Sequence, residues 1–215
     1  MPLLSAIRRD RRILIKLVAG LVAVYAIIAA LVFVLGTEGL DVNVSRSLQR
    51  YQAPWLDQFM VFISWFATLW GGGISVAVVA LFWLLRGRRL AAGFMLLTLL
   101  VVPIVSVIKQ AFGRVRPTAE VVRVFRQFNH ESFPSGHVVF YTVFFGFLAF
   151  LFYRSTDFPG WLRRLVIGFC VALIALVPFS RMYLGAHWFT DVLAGFVLGL
   201  VEGYLGSEKF GVGGE

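Results

Sequence analysis

Two histidines stand beside hydroxyl, carboxylate and backbone-special residues in a chain that is 60% hydrophobic: His137 closes Pro134-Ser135-Gly136-His137, and His187 lies between Ser180-Arg181 and Asp191. His187 and Asp191 are four apart, so on a helix they share a face and the carboxylate can accept the imidazole N–H. That contact fixes the tautomer and leaves the other ring nitrogen as a nucleophile or base. A purely structural His–Asp bond is the plainer alternative. Against it, Asp191 falls about one turn inside an apolar helix, where an ionisable group is expensive and marks function by default.

The stretch around His137 reads as the start of a new helix. Pro134 suits the approach, Gly136 lets the backbone come close to a ligand, and the unpaired N–H groups of a first turn form an anion site with Ser135 at its edge. An ordinary N-cap with a histidine at the interface explains the same four residues. A third cluster, Lys109 to Pro117, puts Lys109 at a helix end, Gly113 at the turn, and Arg114 and Arg116 directly after it. Lysine offers a point charge and arginine a planar fork matched to phosphate oxygens. Taken alone it is a solvated basic helix end. Together, fixed cations, helix N–H groups and an activated histidine are what phosphoryl transfer requires, because charge builds on the equatorial oxygens. Asp191 is the sole acid in the three clusters, with no carboxylate pair or histidine cage, so the sequence predicts neither a metal nor another cofactor.

The elements that position these residues are set by hydropathy. A mean hydropathy of +0.86 and 22 phenylalanines in 215 residues lie outside the range of a soluble domain. The apolar runs match a hydrocarbon slab of about 30 Å, which takes roughly 20 helical residues. They are continuous rather than alternating, which excludes a barrel. The expectation is an all-α polytopic membrane protein, residues 1–215 forming a single domain with six transmembrane helices near 13–36, 59–85, 89–110, 137–153, 162–180 and 187–206. The basic N-terminal run is read as leading into a retained first span rather than a cleaved signal.

The net charge of +9 sits in short segments between apolar runs, which argues against a nucleic-acid partner. Arg8, Arg9, Arg11 and Arg12, the Arg86–Arg89 turn, and Arg154, Arg163 and Arg164 fall on one side with both termini, which the positive-inside rule makes cytoplasmic. Arg46, Arg50, Lys109, Arg114, Arg116, Arg123, Arg126 and Arg181 then lie on the opposite face. A topology rule alone does not explain them; an anion site does.

Between the first two spans, Leu40, Val44, Leu48 and Tyr51 recur at helical spacing, the pattern of an amphipathic helix in the outer interface. Gly71, Gly72 and Gly73 invite a bend or break in the second span. Cys170 reads as a small core residue, His130 as a surface residue, and Glu202 as an acid snorkelling to the cytoplasmic interface.

Lys109 with Arg116-Pro117, then Pro134-Ser135-Gly136-His137, then Ser180-Arg181 with His187 and Asp191, resemble the complete tripartite signature of the type-2 phosphatidic acid phosphatase superfamily over residues 109–191. The resemblance implies that His187 attacks phosphorus to form a phosphohistidine, that Asp191 orients it, and that His137 protonates the leaving oxygen. It further implies that Lys109, Arg116, Ser135, Gly136 and Arg181 hold the phosphoryl oxygens. Arg114, Arg123 and Arg126 are candidates for a headgroup or second phosphate, although Arg123 and Arg126 also suit a solvated loop.

The resulting expectation is a metal-independent phosphatase in a bacterial cytoplasmic membrane, with its active site facing the periplasm or exterior. Its substrate partner is a membrane lipid phosphate presented by the bilayer: an isoprenyl diphosphate, phosphatidylglycerol phosphate or phosphatidic acid. A lipid phosphotransferase, a haloperoxidase and a non-catalytic lipid-binding protein are the alternatives. The sequence does not define an oligomeric state.

Overall fold

In the computed structural model, which describes residues 11–128 and 130–211, every regular element among the described residues is helical. Helix α1 (Arg11–Ala30) ends in a π-helical turn (Leu31–Leu35) and is followed by α2 (Glu38–Leu48), α3 (Pro54–Trp65) and α4 (Leu69–Leu85). Helix α5 (Arg89–Leu97) continues through a 3₁₀ turn (Thr98–Leu100) into α6 (Val101–Phe112). Helices α7 (Gly136–Arg154), α8 (Gly160–Tyr183) and α9 (Phe189–Gly211) complete the chain. Arg8 and Arg9 of the basic N-terminal cluster lie outside the described residues.

Among the described residues four segments are long and apolar enough to cross a membrane, namely Ile15–Leu35, Arg89–Phe112, Gly136–Arg154 and Gly160–Tyr183, and the α3–α4 pair makes a fifth if counted as one crossing. The expected second span is two helices bent by 53°. The break falls at 66–68, ahead of the three glycines. Thr68 makes it: its Oγ1 donates to the Trp65 carbonyl at 2.8 Å and accepts the Gly71 N–H at 3.1 Å, capping α4. A Cβ on Gly71 would fall 2.1 Å from the Trp65 oxygen, so that glycine permits the turn without being its location. The last expected span coincides with α9, but the helix begins at Phe189, leaving His187 in the connection after α8.

Helix α7 is the axis of the bundle. Its apolar residues run all round it, Phe140, Phe144, Phe145, Phe147 and Phe152 among them, and it is accordingly buried on nearly every side. Helix α8 packs on one flank, where Cys170 is a buried free thiol, and α9 on another. The α7–α9 approach depends on Gly195 and Gly199: a Cβ would lie 2.7 Å from the Ser135 carbonyl at the first and 2.6 Å from Thr142 Cβ at the second. Small residues four apart let membrane helices approach this closely.

Helix α2 packs on the bundle through its polar side. Its buried stripe is polar, Asp41, Ser45 and Gln49, whereas Leu40 and Tyr51 are exposed and Val44 and Leu48 pack only partly on the core. Gln49 Nε2 donates to the Arg123 and Tyr183 carbonyls at 2.8 and 3.0 Å, clamping the α6–α7 loop to α8. Glu202 is half-buried and lines a cavity with Thr98 and Val143.

The two ends of the bundle differ. At one, Arg88 grips Asp157 at 2.8 and 3.0 Å and Ser155 at 3.1 Å, tying the α4–α5 turn to the α7–α8 turn. At the other converge the C-terminal ends of α6 and α8, the N-terminal ends of α7 and α9, and the loop from 113 to 135.

Candidate active site

Each of the three expected phosphate-binding cations is braced by the protein. Lys109, in the last turn of α6, donates from Nζ to the Glu131 and Ser132 carbonyls at 2.6 and 3.1 Å. Arg116 donates from Nε to the His130 carbonyl at 2.7 Å and from Nη1 to the Ala186 carbonyl at 2.5 Å. Arg181, in the last turn of α8, donates from Nη1 to Ser64 Oγ at 2.9 Å, while its Nε is buried without a partner. Oxygens from the protein thus orient three positive charges, and a buried donor on Arg181 remains unmatched. Burial lowers the Arg116 pKa to about 10, still well above neutrality, so this cation stays charged.

The histidine–aspartate pair has a different local structure from the helical face that its spacing suggests. His187 precedes the helix, and Asp191 is the third residue of α9. Asp191 Oδ2 reaches back to accept the Trp188 N–H at 2.9 Å, as an acid at that position does in a capping box. The same oxygen accepts from Ser132 Oγ and lies 3.5 Å from His187 Nδ1. Nε2 of His187 faces the other way, 3.4 Å from Arg116 Nη1. His187 is 2% exposed. Burial, then repulsion from Arg116, Lys109 and Arg181, pushes its pKa well below the ordinary histidine range, leaving a neutral imidazole.

A cavity of about 500 Å³ joins these groups to an apolar passage. Lys109, Arg116, Gly136, His137, Arg181 and His187 line it at one end; Leu69, Gly72, Gly73, Leu99, Val102 and Phe140 line the rest, between α4, the start of α6 and α7. Ser135 Oγ is buried beside this end with no protein hydrogen bond. An apolar passage running into clustered cations and two histidines suits an amphiphile with an anionic head. Among the described residues no three His, Cys, Asp or Glu side chains converge as metal ligands.

A family model for the PAP2 superfamily matches residues 88–208, which is more than half of the chain. The chain belongs to the PAP2 superfamily. It is 27% identical over 191 residues to phosphatidylglycerophosphatase B of Bacillus subtilis (strain 168), covering 84% of this chain and 88% of that protein. It is 27% identical over 187 residues to an undecaprenyl-diphosphatase of Sulfolobus acidocaldarius, covering 83% and 84%. Its structure resembles the crystal structure of a transmembrane PAP2 type phosphatidylglycerolphosphate phosphatase from Bacillus subtilis, with a TM-score of 0.80 and 25% identity over 92% of this chain and 98% of that one. These matches identify a membrane-embedded PAP2 protein.

The other loop cations of this PAP2 protein are placed apart from the histidines. Arg114 is held between Asp41 and Asp191 at 2.6 and 2.5 Å. Arg123 makes a two-pronged pair with Asp57 at 2.9 and 2.6 Å, which raises its pKa further. Arg126 lines a second cavity of about 340 Å³ that shares Arg116, Phe128 and His130 with the first. His130 is exposed, as expected, yet lies at the rim of both.

Four contributors escaped the sequence reading. Ser64 supports Arg181, Ser132 bonds Asp191, and Asp41 binds Arg114. Phe128 places its ring within 4.9, 5.8 and 5.9 Å of the guanidinium groups of Arg116, Arg126 and Arg181. Serines carry little signal in sequence, but an aspartate in an amphipathic helix one turn before a serine was readable as a polar stripe.

Proposed function

We propose that this protein is a metal-independent phosphatase that removes phosphate from membrane lipid phosphates or diphosphates through a phosphohistidine. The observation that carries this reading is the single cavity in which an apolar passage ends on His137, His187, Lys109, Arg116 and Arg181. A lipid lies with its tail along α4, α6 and α7 and its phosphate among the cations. His187 Nε2, neutral and turned toward Arg116, attacks phosphorus. The P–O bond to the lipid breaks with its electrons on oxygen, and His137 supplies the proton that oxygen takes up. Asp191 faces Nδ1 and stabilises the positive charge that develops on the ring. Water then attacks the phosphohistidine, His137 accepts its proton, and phosphate leaves as Nε2 recovers its electron pair. Ser135 Oγ, the α7 N–H groups and the three cations hold the oxygens throughout.

The names of the relatives nominate phosphatidylglycerol phosphate and undecaprenyl diphosphate as substrates; phosphatidic acid, expected from the sequence resemblance, is the third candidate. We further read the chain as six crossings in one domain, counting α3–α4 and α9. Both termini then face the cytoplasm, the site opens at the outer surface, and the exposed Leu40 of α2 and Tyr51 just after it meet the outer interface. Phosphate release from these three lipids by the purified protein in detergent tests the activity, with His187→Ala as the control. Turnover is expected with at least one lipid, insensitive to chelator, and absent in His187→Ala. Activity retained by that variant, or lost to chelator, would contradict the proposal.

A further inference from the structure

We infer that Arg114 and Asp41 form a positioning unit that holds Asp191, and through it His187, in register for phosphoryl transfer. This rests on the phosphohistidine reading and extends it to α2, which precedes the family match at 88–208. The Arg114 guanidinium has both arms committed. Nη1 donates to Asp191 Oδ1 at 2.5 Å and Thr190 Oγ1 at 2.8 Å; Nη2 donates to Asp41 Oδ2 at 2.6 Å and accepts no role toward the cavity, its further contact being Thr37 Oγ1 at 3.1 Å. The side chain is 11% exposed; Arg114 is absent from the lining of the histidine cavity and borders the second cavity beside Arg116 and Arg126, with its Nη1 and Nη2 already bonded to protein oxygens. A guanidinium so occupied orients a carboxylate rather than greeting a headgroup.

Asp41 completes the unit from the other side. It is 1% exposed, and its Oδ1 accepts the Thr190 N–H at 2.9 Å. Trp188, which occupies the cap position of α9, has no oxygen side chain. Asp41 therefore serves as the capping acid from another helix, while Asp191 caps its own first turn through the Trp188 N–H. Two buried carboxylates hold one helix terminus, and Arg114 between them offsets their repulsion with a fork that a lysine cannot reproduce. Arg114 occupies Asp191 Oδ1, leaving Oδ2 toward Ser132, the Trp188 N–H and His187 Nδ1. Without it, two buried anions face each other and Asp191 is held toward the imidazole only by Ser132 and the Trp188 N–H at Oδ2.

The test uses Arg114→Met, Arg114→Lys, Asp41→Asn and the Arg114→Met/Asp41→Asn pair, in full-length protein, with short-chain phosphatidic acid as substrate and inorganic phosphate as product inhibitor. Arg114→Met is expected to lower kcat about 100-fold, the scale of a misplacement of about 1 Å, with KM and the phosphate Ki within about threefold of wild type. Arg114→Lys should recover part of the loss. Asp41→Asn should lower kcat about 10-fold, and the pair should be no worse than Arg114→Met by more than about twofold, as members of one unit behave. A kcat within about threefold of wild type in Arg114→Met, or a Ki that rises as kcat falls, overturns the inference, the latter making Arg114 a phosphate ligand. Should Arg114→Met not yield folded protein, the near-isosteric Asp41→Asn decides alone, and unchanged kcat overturns it. Trapping phosphohistidine from labelled substrate separates the two readings. Label absent from wild type removes the phosphohistidine; label formed by wild type and formed as fast by Arg114→Met removes only the positioning role.

Discussion

Arg181 leans on Ser64: its Nη1 donates to Ser64 Oγ at 2.9 Å, Ser64 lies 2.7 Å from Ser180 Oγ, and Ser180 donates to the Met60 carbonyl at 2.6 Å. This chain of donors joins the end of α8 to the last turns of α3, beside the bend into α4. The bent helix pair therefore does two things, bracing a phosphate-site cation with its first half and lining the apolar cavity with the start of its second.

Ser64→Ala is expected to lower kcat/KM about 10-fold, since a hydrogen bond to a charged group contributes about 1.5–3 kcal/mol. The substitution removes one oxygen and leaves the α3–α8 packing in place. Steady-state phosphate release, with thermal unfolding in detergent as the check on folding, measures it. Unchanged kcat/KM would mean that Arg181 needs no brace.

The pH profile should reflect the neutral state of His187. Burial and three nearby cations move its pKa well below the ordinary value. The deprotonated nucleophile therefore persists in mildly acidic solution, because a lowered pKa means that protonation requires a lower pH. As pH falls from 8 to 4.5, kcat/KM is expected to show no acid-side loss centred near the unperturbed histidine value of about 6.5. A loss centred there that follows His187 protonation would show the imidazole to be solvated instead.

Much of this arrangement is legible in the sequence because it is local. Apolar runs mark helices, and the residue types around Lys109, Ser135 and His187 name the chemistry without any long-range information. The bend at 66–68 is hidden, since hydropathy is continuous through Trp65 and Leu69 and the glycines draw the eye downstream. Helix α2 shows a second limit. Its apolar set of Leu40, Val44 and Leu48 and its polar set of Asp41, Ser45 and Gln49 both follow the helical period, so periodicity alone does not say which meets the protein. The polar set does, because in an apolar surrounding an acid is stable only against partners, here Thr190 and Arg114. The Gly195, Gly199 and Gly203 spacing, by contrast, was a readable signal for the close α7–α9 packing.

Arg123 and Arg126 should separate, although both belong to the same loop. Arg123 is paired with Asp57, and Tyr183 donates to Asp57 at 2.7 Å. Arg123→Ala is expected to lower the unfolding temperature with similar losses on monophosphate and diphosphate lipids. Arg126, exposed beside Phe128 in the second cavity, has room to meet a further phosphate. Arg126→Ala should reduce kcat/KM for an isoprenyl diphosphate at least about fivefold more than for phosphatidic acid, a modest loss of one charge-assisted contact. Equal losses on the two substrates would remove Arg126 from substrate selection.

The lipid path is tested most directly at Gly73. It lines the cavity on α4, and a Cβ added there meets nothing within 4 Å, so a larger residue enters the open passage without displacing its neighbours at the first atom. Leucine is also a better helix former than glycine by about 0.5–1 kcal/mol, so Gly73→Leu should hold or raise stability. If the tail runs between α4, α6 and α7, the added side chain competes with it. KM for long-chain lipid phosphates is then expected to rise about 10-fold while a short, water-soluble phosphate ester changes less than about threefold, because ground-state tail contacts contribute to binding rather than to chemistry. Kinetics on both substrates with the same preparation decide the matter. Equal effects on the two, or none on either, would place the tail elsewhere on the bundle.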